Sequence, residues 1–203
     1  MTPDAFQAFY NVPRGTIDRL LRYEVLLKDW QQRMNLVAPS TLETIWGRHF
    51  HDSAQLSRIV EPGRDWLDFG AGAGFPGLVL AAMDWGRFRL VESIAKKCRF
   101  LEAVAAELGI SSSVSVTCGR VEALPWALAE VVTARATAEL ATLFHWSVRH
   151  GKAGTRWVFP KGRNWAAEVE RAREAFRFDC DVVESLTDAE ARILVVTNLR
   201  RKG

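Results

Sequence analysis

Cysteine is scarce: the chain of 203 residues holds three, Cys98, Cys118 and Cys180. An odd number of widely separated thiols excludes a disulfide framework and a zinc-ligand spacing, so no metal site and a reducing, cytoplasmic setting are expected. Long apolar runs are lacking too. No segment nears the roughly 20 residues needed to span a bilayer, and the opening MTPDAFQAFY has no basic start leading into an apolar stretch, so neither a membrane nor export is expected. Charge of one sign is not in large excess. The 27 Lys and Arg against 24 Asp and Glu leave a net charge of +3, which suits an anionic partner but falls short of a protein built wholly on nucleic-acid phosphates. Internal repeats, low-complexity segments and Pro-Pro pairs are absent. The apolar share is 48%, enough for a sizeable core in a single domain, which excludes a disordered chain.

Periodicity divides the chain. In residues 14–34, Ile17, Leu20, Leu21, Leu27, Trp30 and Met34 recur at helical spacing, with Arg14, Arg19, Arg22, Lys28 and Arg33 between them. Those cations make either a solvated helix face or a surface toward RNA. A second helix is expected over residues 40–59, with Ser40 as its cap and Glu43 three residues on. Pro62-Gly63 breaks the pattern. Short β-rich runs then alternate with helical ones: WLDF (66–69), FRLVE (88–92), VSVTC (114–118), VVTA (131–134) and RWVF (156–159). The clearest intervening helix carries Ile94, Lys97, Leu101, Val104 and Leu108 and stops at Gly109. Alternation of this kind predicts a parallel sheet with helices on both faces. CDVVESL (180–186) and RILVVTNL (192–199) are too close in sequence for a crossover helix, so they predict an antiparallel hairpin at one edge. The expected organisation is one α/β domain over 1–203, with residues 1–60 a helical extension packed on it.

Residues 68–77 read DFGAGAGFPG and fall at the first strand-to-helix turn, where ligands of open α/β sheets meet backbone. Gly72-Ala-Gly74-Phe-Pro-Gly77 fits the dinucleotide fingerprint G-x-G-x-x-G. Gly70-Ala-Gly72-Ala-Gly74 fits the G-x-G-x-G loop of class I S-adenosylmethionine (SAM) methyltransferases. A pyrophosphate needs free amides at a helix start, and Pro76 removes one while presetting the first turn. Asp68 would set a carboxylate near that anion, whereas it suits the cationic ammonium and sulfonium end of SAM. Glu92, ending the second strand, can accept from the ribose hydroxyls of either cofactor. The edge hairpin decides between them. A seventh strand running antiparallel marks the Rossmann-like SAM-dependent fold, and the nicotinamide fold lacks it.

The chain also resembles the RsmG/GidB family of bacterial small-subunit ribosomal RNA guanine-N7 methyltransferases. The resemblance rests on MNLVA (34–38), RHFHDS (48–53), DFGAGAGFPG (68–77), LVES-x-x-KK (90–97), GRVEALP (119–125), ARA (134–136) and PKG (160–162). It implies SAM as cofactor with S-adenosylhomocysteine as product, and 16S ribosomal RNA as partner, free or within the 30S subunit. It implies cofactor contacts at Gly70, Phe75, Val121, Glu122 and Arg135. Val121 and Glu122 follow a strand end where an adenine edge meets backbone, which agrees independently; Glu122 could instead serve a helix dipole. Arg135, at the fourth strand's end, could bind phosphate, the guanine edge or the cofactor carboxylate, or be a buried structural ion pair.

His49, Asp52 and Ser53 do not read as a nucleophilic triad, because they lie in one helix without a strand-turn elbow. Arg48, His49 and Asp52 are expected to tie the N-terminal helices to the cofactor loop. His51, His145, Trp30, Trp46 and Trp146 read as packing residues. Guanine N7 carries a lone pair and no proton, so positioning replaces a general base; Arg135 and Lys161 are the expected catalytic positioning residues. None of the cysteines stands in a cofactor motif as a nucleophile, and no N-P-P-Y-like loop for an exocyclic amine is present. Lys152, Arg156, Lys161 and Arg163 around the fifth strand, and Lys96, Lys97 and Arg99 after the second, could line a path for phosphates. Ala71, Phe69 and Pro160 depart from the family pattern. Two rivals stay open: an NAD-dependent oxidoreductase, and a non-catalytic RNA-binding protein on a methyltransferase fold. A monomer is the default expectation.

Overall fold

A computed structural model describes residues 1–135 and 137–203; Ala136, the last residue of the ARA motif, lies outside the described residues. The chain opens with α1 (Pro3–Tyr10), a helix expected only as an unspecified part of the extension over 1–60. Thr2 starts it, its Oγ1 accepting from the Ala5 amide at 3.2 Å. Next comes α2 (Arg14–Gln31), three residues shorter than the periodic stretch. Its Ile17, Leu20, Tyr23 and Leu27 are buried. The five cations of α2 and its C-terminal flank all meet carboxylates: Arg14 with Asp18, Arg19 with Asp84, Arg22 with Glu107, Lys28 with Glu24, and Arg33 with Asp29.

The expected helix over residues 40–59 does not form as one piece. A 3₁₀ turn at Pro39–Thr41 is followed by a π turn at Trp46–His51, the single α turn α3 (Asp52–Ala54) and a second 3₁₀ turn at Gln55–Arg58. Ser40 caps nothing. Thr41 spends its hydroxyl on the Ala38 carbonyl at 2.7 Å, and Gly47 weakens the helical preference that follows. The widened π turn lets Trp46, His49 and Phe50 all face inward.

From β1 (Arg64–Phe69) onward, α4 (Gly77–Ala82), β2 (Gly86–Glu92), α5 (Ala95–Glu107), β3 (Val114–Cys118), β4 (Ala129–Thr133), α6 (Leu140–Ser147), β5 (Gly151–Lys161) and α7 (Trp165–Ala175) alternate as the pattern predicts. The chain ends in β6 (Phe176–Glu184) and β7 (Arg192–Arg201). The seven strands stand in the order β3-β2-β1-β4-β5-β7-β6. β1 pairs in parallel with β2 and β4, while β7 is antiparallel to both β5 and β6. β5 runs several residues further toward the N-terminus than RWVF, because Gly151 and Gly154 blur the alternation there. One apolar cluster joins Leu20, Tyr23, Phe50, Leu78 and Phe100 on one face of the sheet; the other, with Phe69, Phe144, Phe159 and Phe176, fills the face under α6 and α7. Right-handed crossovers place the carboxyl ends of β1 to β5 together, and the glycine run lies there.

Candidate active site

The run between β1 and α4 is a tight turn packed on all sides. Gly70 takes φ +65°, and a Cβ there would stand 2.7 Å from the Thr137 side chain. Gly74 takes φ +87°, and a Cβ there would meet the Tyr23 hydroxyl at 2.6 Å as well as Leu78. Tyr23, buried on α2, donates its hydroxyl to the Ala73 carbonyl and stacks on Phe75 with centroids 5.5 Å apart. An N-terminal helix thus clamps the loop. Pro76 precedes α4 as its cap residue rather than sitting inside the first turn, and the first helical amide, Gly77, donates to Asp68 Oδ2 at 2.9 Å.

Asp68 turns its carboxylate under the loop and lines neither of the site's two cavities. It is 0% exposed beneath the loop, with Oδ1 lacking a hydrogen-bond partner among the described residues. Burial pushes its pKa up to about 7, with the Gly77 amide and Arg135 opposing and Glu92 reinforcing the rise. Glu92 behaves differently. One oxygen accepts from the Gly72 amide at 2.9 Å and the other from the Ile94 amide at 2.9 Å, so a single carboxylate fastens the glycine loop to the end of β2.

Beside this junction lies a cavity of about 170 Å³ whose walls include Gly70, Val91, Val121, Glu122, Thr137 and Trp146. Val121 and Glu122 sit on a 3₁₀ turn after β3. His150, fully buried, holds that turn: its Nε2 donates to the Val121 carbonyl at 2.9 Å and its Nδ1 accepts from the Ala127 amide at 3.2 Å. Burial lowers its pKa, which suits this neutral tautomer. Trp146, read from sequence as packing, and His150 both belong to the site's construction. Nothing in local spacing marks Trp146; it reaches the cavity because α6 lies over β1, where its ring meets Phe69 edge-on at 6.5 Å.

A second cavity of about 340 Å³ is bounded by Thr41, His49, Asp52, Arg135, Lys161, Asp188 and Arg192. Arg135 is its hub. One guanidinium nitrogen donates to Asp52 Oδ2 at 3.1 Å and another to His49 Nδ1 at 3.1 Å, with the guanidinium carbon 4.8 Å from the Phe75 ring centre. His49 stacks on the same ring at 4.8 Å and 6°. Since a guanidinium only donates, Nδ1 must be the acceptor, and Nε2 carries the proton toward Thr41 Oγ1 at 2.8 Å. Burial first, then the Arg135 charge, push the His49 pKa down to about 4. Asp52 Oδ1 accepts from Thr187 at 2.7 Å and from Gln55 at 3.0 Å. So His49 and Asp52 brace Arg135, and His49 meets the loop by stacking on the Phe75 ring. Arg48 lines the same cavity but faces Asp188 at 3.9 Å instead of Arg135, and the Ser53 hydroxyl is buried without a partner among the described residues.

Lys161 borders this cavity but is committed. Its ammonium pairs with Glu168 at 2.6 Å and donates to the Ala138 carbonyl at 2.7 Å, with the side chain 9% exposed. Phe75 is buried by the stack around it, and Gly72 and Gly74 face the clamp of Glu92 and Tyr23. Gly70, Val121 and Glu122 line the first cavity, and Arg135 lines the second.

Strand order, an antiparallel β7 between β5 and β6, and a glycine turn braced by the β2 carboxylate define the Rossmann-like fold of class I SAM-dependent methyltransferases. Solved structures bear the fold out. A SAM-dependent methyltransferase from Aquifex aeolicus matches with TM-score 0.59 at 17% identity, over 85% of this chain and 96% of that one. A mutant of MtNAS in complex with S-adenosylmethionine matches with TM-score 0.57 at 18% identity, over 97% and 83%. The chain belongs to the GidB family, rRNA small subunit methyltransferase G, whose pattern it matches over residues 16–195. Among curated relatives, ribosomal RNA small subunit methyltransferase G of Methylorubrum populi is 43% identical over 95% of this chain and 93% of its own length. The protein of the same name from Ruegeria sp. is 37% identical over 94% and 95%.

Proposed function

We propose that this protein is an enzyme that transfers the methyl group of SAM to nitrogen 7 of a guanine in 16S ribosomal RNA. Family membership supplies the substrate class, and one observation supports the transfer. Thr137 lines the first cavity and Arg135 the second, and the Thr137 hydroxyl donates to the Arg135 carbonyl at 3.0 Å, so the two cavities stand side by side just past β4. Transfer between bound molecules requires that adjacency.

The residues fit the cofactor. Glu92, held by its two backbone bonds and 6% exposed between Val91 and Ser93 of the first cavity's wall, would turn its remaining lone pairs to a ribose diol, and Gly70 leaves the space that a Cβ would fill beside Thr137. Val121 and Glu122 would hold the adenine, with Trp146 covering it. When bound, SAM supplies an electrophilic methyl group on a sulfonium. Asp68 serves by fixing the Gly77 amide under the turn, not by direct contact. Arg135 orients the acceptor base through whichever guanidinium edge Asp52 and His49 leave free, an arrangement suited to guanine O6 or a flanking phosphate. His49, neutral above about pH 4, cannot compete as a second cation. No residue has to take a proton from N7. Lys161 acts by tying the end of β5 to α7 through Glu168.

The test is a labelled methyl-transfer assay on unmodified 30S subunits and on naked 16S RNA, with mass mapping of the product. New 7-methylguanosine on either substrate is the expected result. Tight SAM binding with no methyl transfer to either would reveal a non-catalytic RNA-binding protein instead. Binding of NAD in place of SAM would favour an oxidoreductase, against which the antiparallel β7 already argues.

A further inference from the structure

Far from both cavities, a hollow of about 810 Å³ opens where β5 and β6 begin and β7 ends. β5 has eleven residues, so at about 3.3 Å per residue its first residues lie roughly 30 Å from Lys161 at its other end. The hollow is thus on the opposite rim of the sheet from the glycine turn. This separation splits the basic set that surrounds the fifth strand in sequence, since Lys152 belongs to the far rim.

Lys152, Arg173, Arg177, Arg200 and Lys202 line the hollow, with Asp179 as its acidic residue. Asp179 is engaged by the Asn198 amide at 2.6 Å. Lys152, Arg177, Arg200 and Lys202 make no ion pair within 4.0 Å among the described residues, in contrast to the paired cations of α2. Arg177 and Arg200 are also direct cross-strand partners. Like charges directly opposite destabilise a sheet, and a bulge between Arg177 and Asp179, matched by Asn198 at φ +54°, shapes the strand pair there. A self-repelling pair in a concave basic surface matches an extended polyanion better than a small anion. The aromatic rings beneath, Trp157, Phe176 and Phe178, are buried and offer no face for stacking bases.

The geometry points to this rim as a second docking surface for the phosphate backbone of structured RNA, which would grip the substrate at a distance from the reacting base. The inference rests on the proposed ribosomal RNA substrate. It assigns the rim affinity without sequence readout, because its solvent-facing charge is mostly cationic and its aromatic rings are covered.

The experiment compares wild type with the R177Q/R200Q/K202Q variant, and with Lys202→Gln alone as the mildest change. A fluorescently labelled RNA hairpin is titrated by anisotropy across salt concentrations, and methyl transfer to 30S subunits is measured alongside. The triple variant should bind the hairpin roughly tenfold or more weakly, with a log–log salt slope smaller by about two to three, and the single variant with a slope smaller by about one. The SAM affinity of both variants should match that of wild type. An unchanged slope and affinity in both variants, or no hairpin binding by wild type, overturns the inference, and methyl transfer by wild type then still stands or falls on its own measurement. Weakened binding in the variants together with no methyl transfer by wild type would keep the surface and sink the enzymatic reading.

Discussion

Asp68 and His49 are two buried titratable groups with opposite effects on stability. Asp68 has its folded pKa raised to about 7 from 3.8, so the folded form holds a proton that the unfolded chain has lost. Its contribution is complete at low pH and is lost as pH rises through about 7. His49 has its folded pKa lowered to about 4 from 6.5, so its contribution is complete above about 6.5 and is lost as pH falls toward 4. At 1.36 kcal/mol per unit, each is worth up to about 3 or 4 kcal/mol, and between pH 4 and 6.5 their slopes nearly cancel. Thermal unfolding across pH should show this by subtraction. Asp68→Asn should leave a Tm that rises between pH 4 and 6.5, and His49→Gln a Tm that falls between pH 4 and 7; identical slopes in both variants would contradict the pairing. The placement of Glu92, Val121 and Arg135 at or just past strand ends is legible in sequence. The direction of the Asp68 carboxylate, turned under the loop by the Gly77 amide in a contact across nine residues, is not.

At the scale of elements, the glycine turn depends on a helix far from it in sequence. A methyl group at Gly74 would collide with Tyr23 and Leu78 and require φ +87° of an alanine. Gly74→Ala should therefore destabilise the protein by about 2–4 kcal/mol. Tyr23→Phe removes only the hydroxyl bond to Ala73 and should cost about 1 kcal/mol while weakening SAM binding, since the loop loses its clamp. Denaturant unfolding and calorimetry with SAM measure the two quantities; a Tyr23→Phe variant with unaltered SAM affinity would show the clamp to be irrelevant to the pocket. Alternation of strand and helix is readable because each crossover repeats the same pattern of periods. The stretch from Ser40 to Ile59 is not. Its apolar spacing is helical, yet the inward crowding of Trp46, His49 and Phe50 selects a π turn that no local preference announces. Tyr23 hides for a related reason: on α2 it looks like one more core position.

Across the whole molecule, charge is sorted rather than concentrated. Arg14, Arg22 and Arg33, on and just past α2, are matched by carboxylates and exposed, so each pair contributes about 0–1 kcal/mol and little field. Neutralising Arg14 and Arg33 together should change RNA affinity less than about twofold in the same salt titration that probes the far rim; a large loss would return α2 to the RNA-facing reading. The modest net charge of +3 conceals this sorting, because composition adds what the fold keeps apart.

Asp52, which steadies Arg135, is itself held by Thr187, 135 residues later in the chain. The bracing of Arg135 is therefore complete only when the chain has been made through Thr187 and folded back onto Asp52.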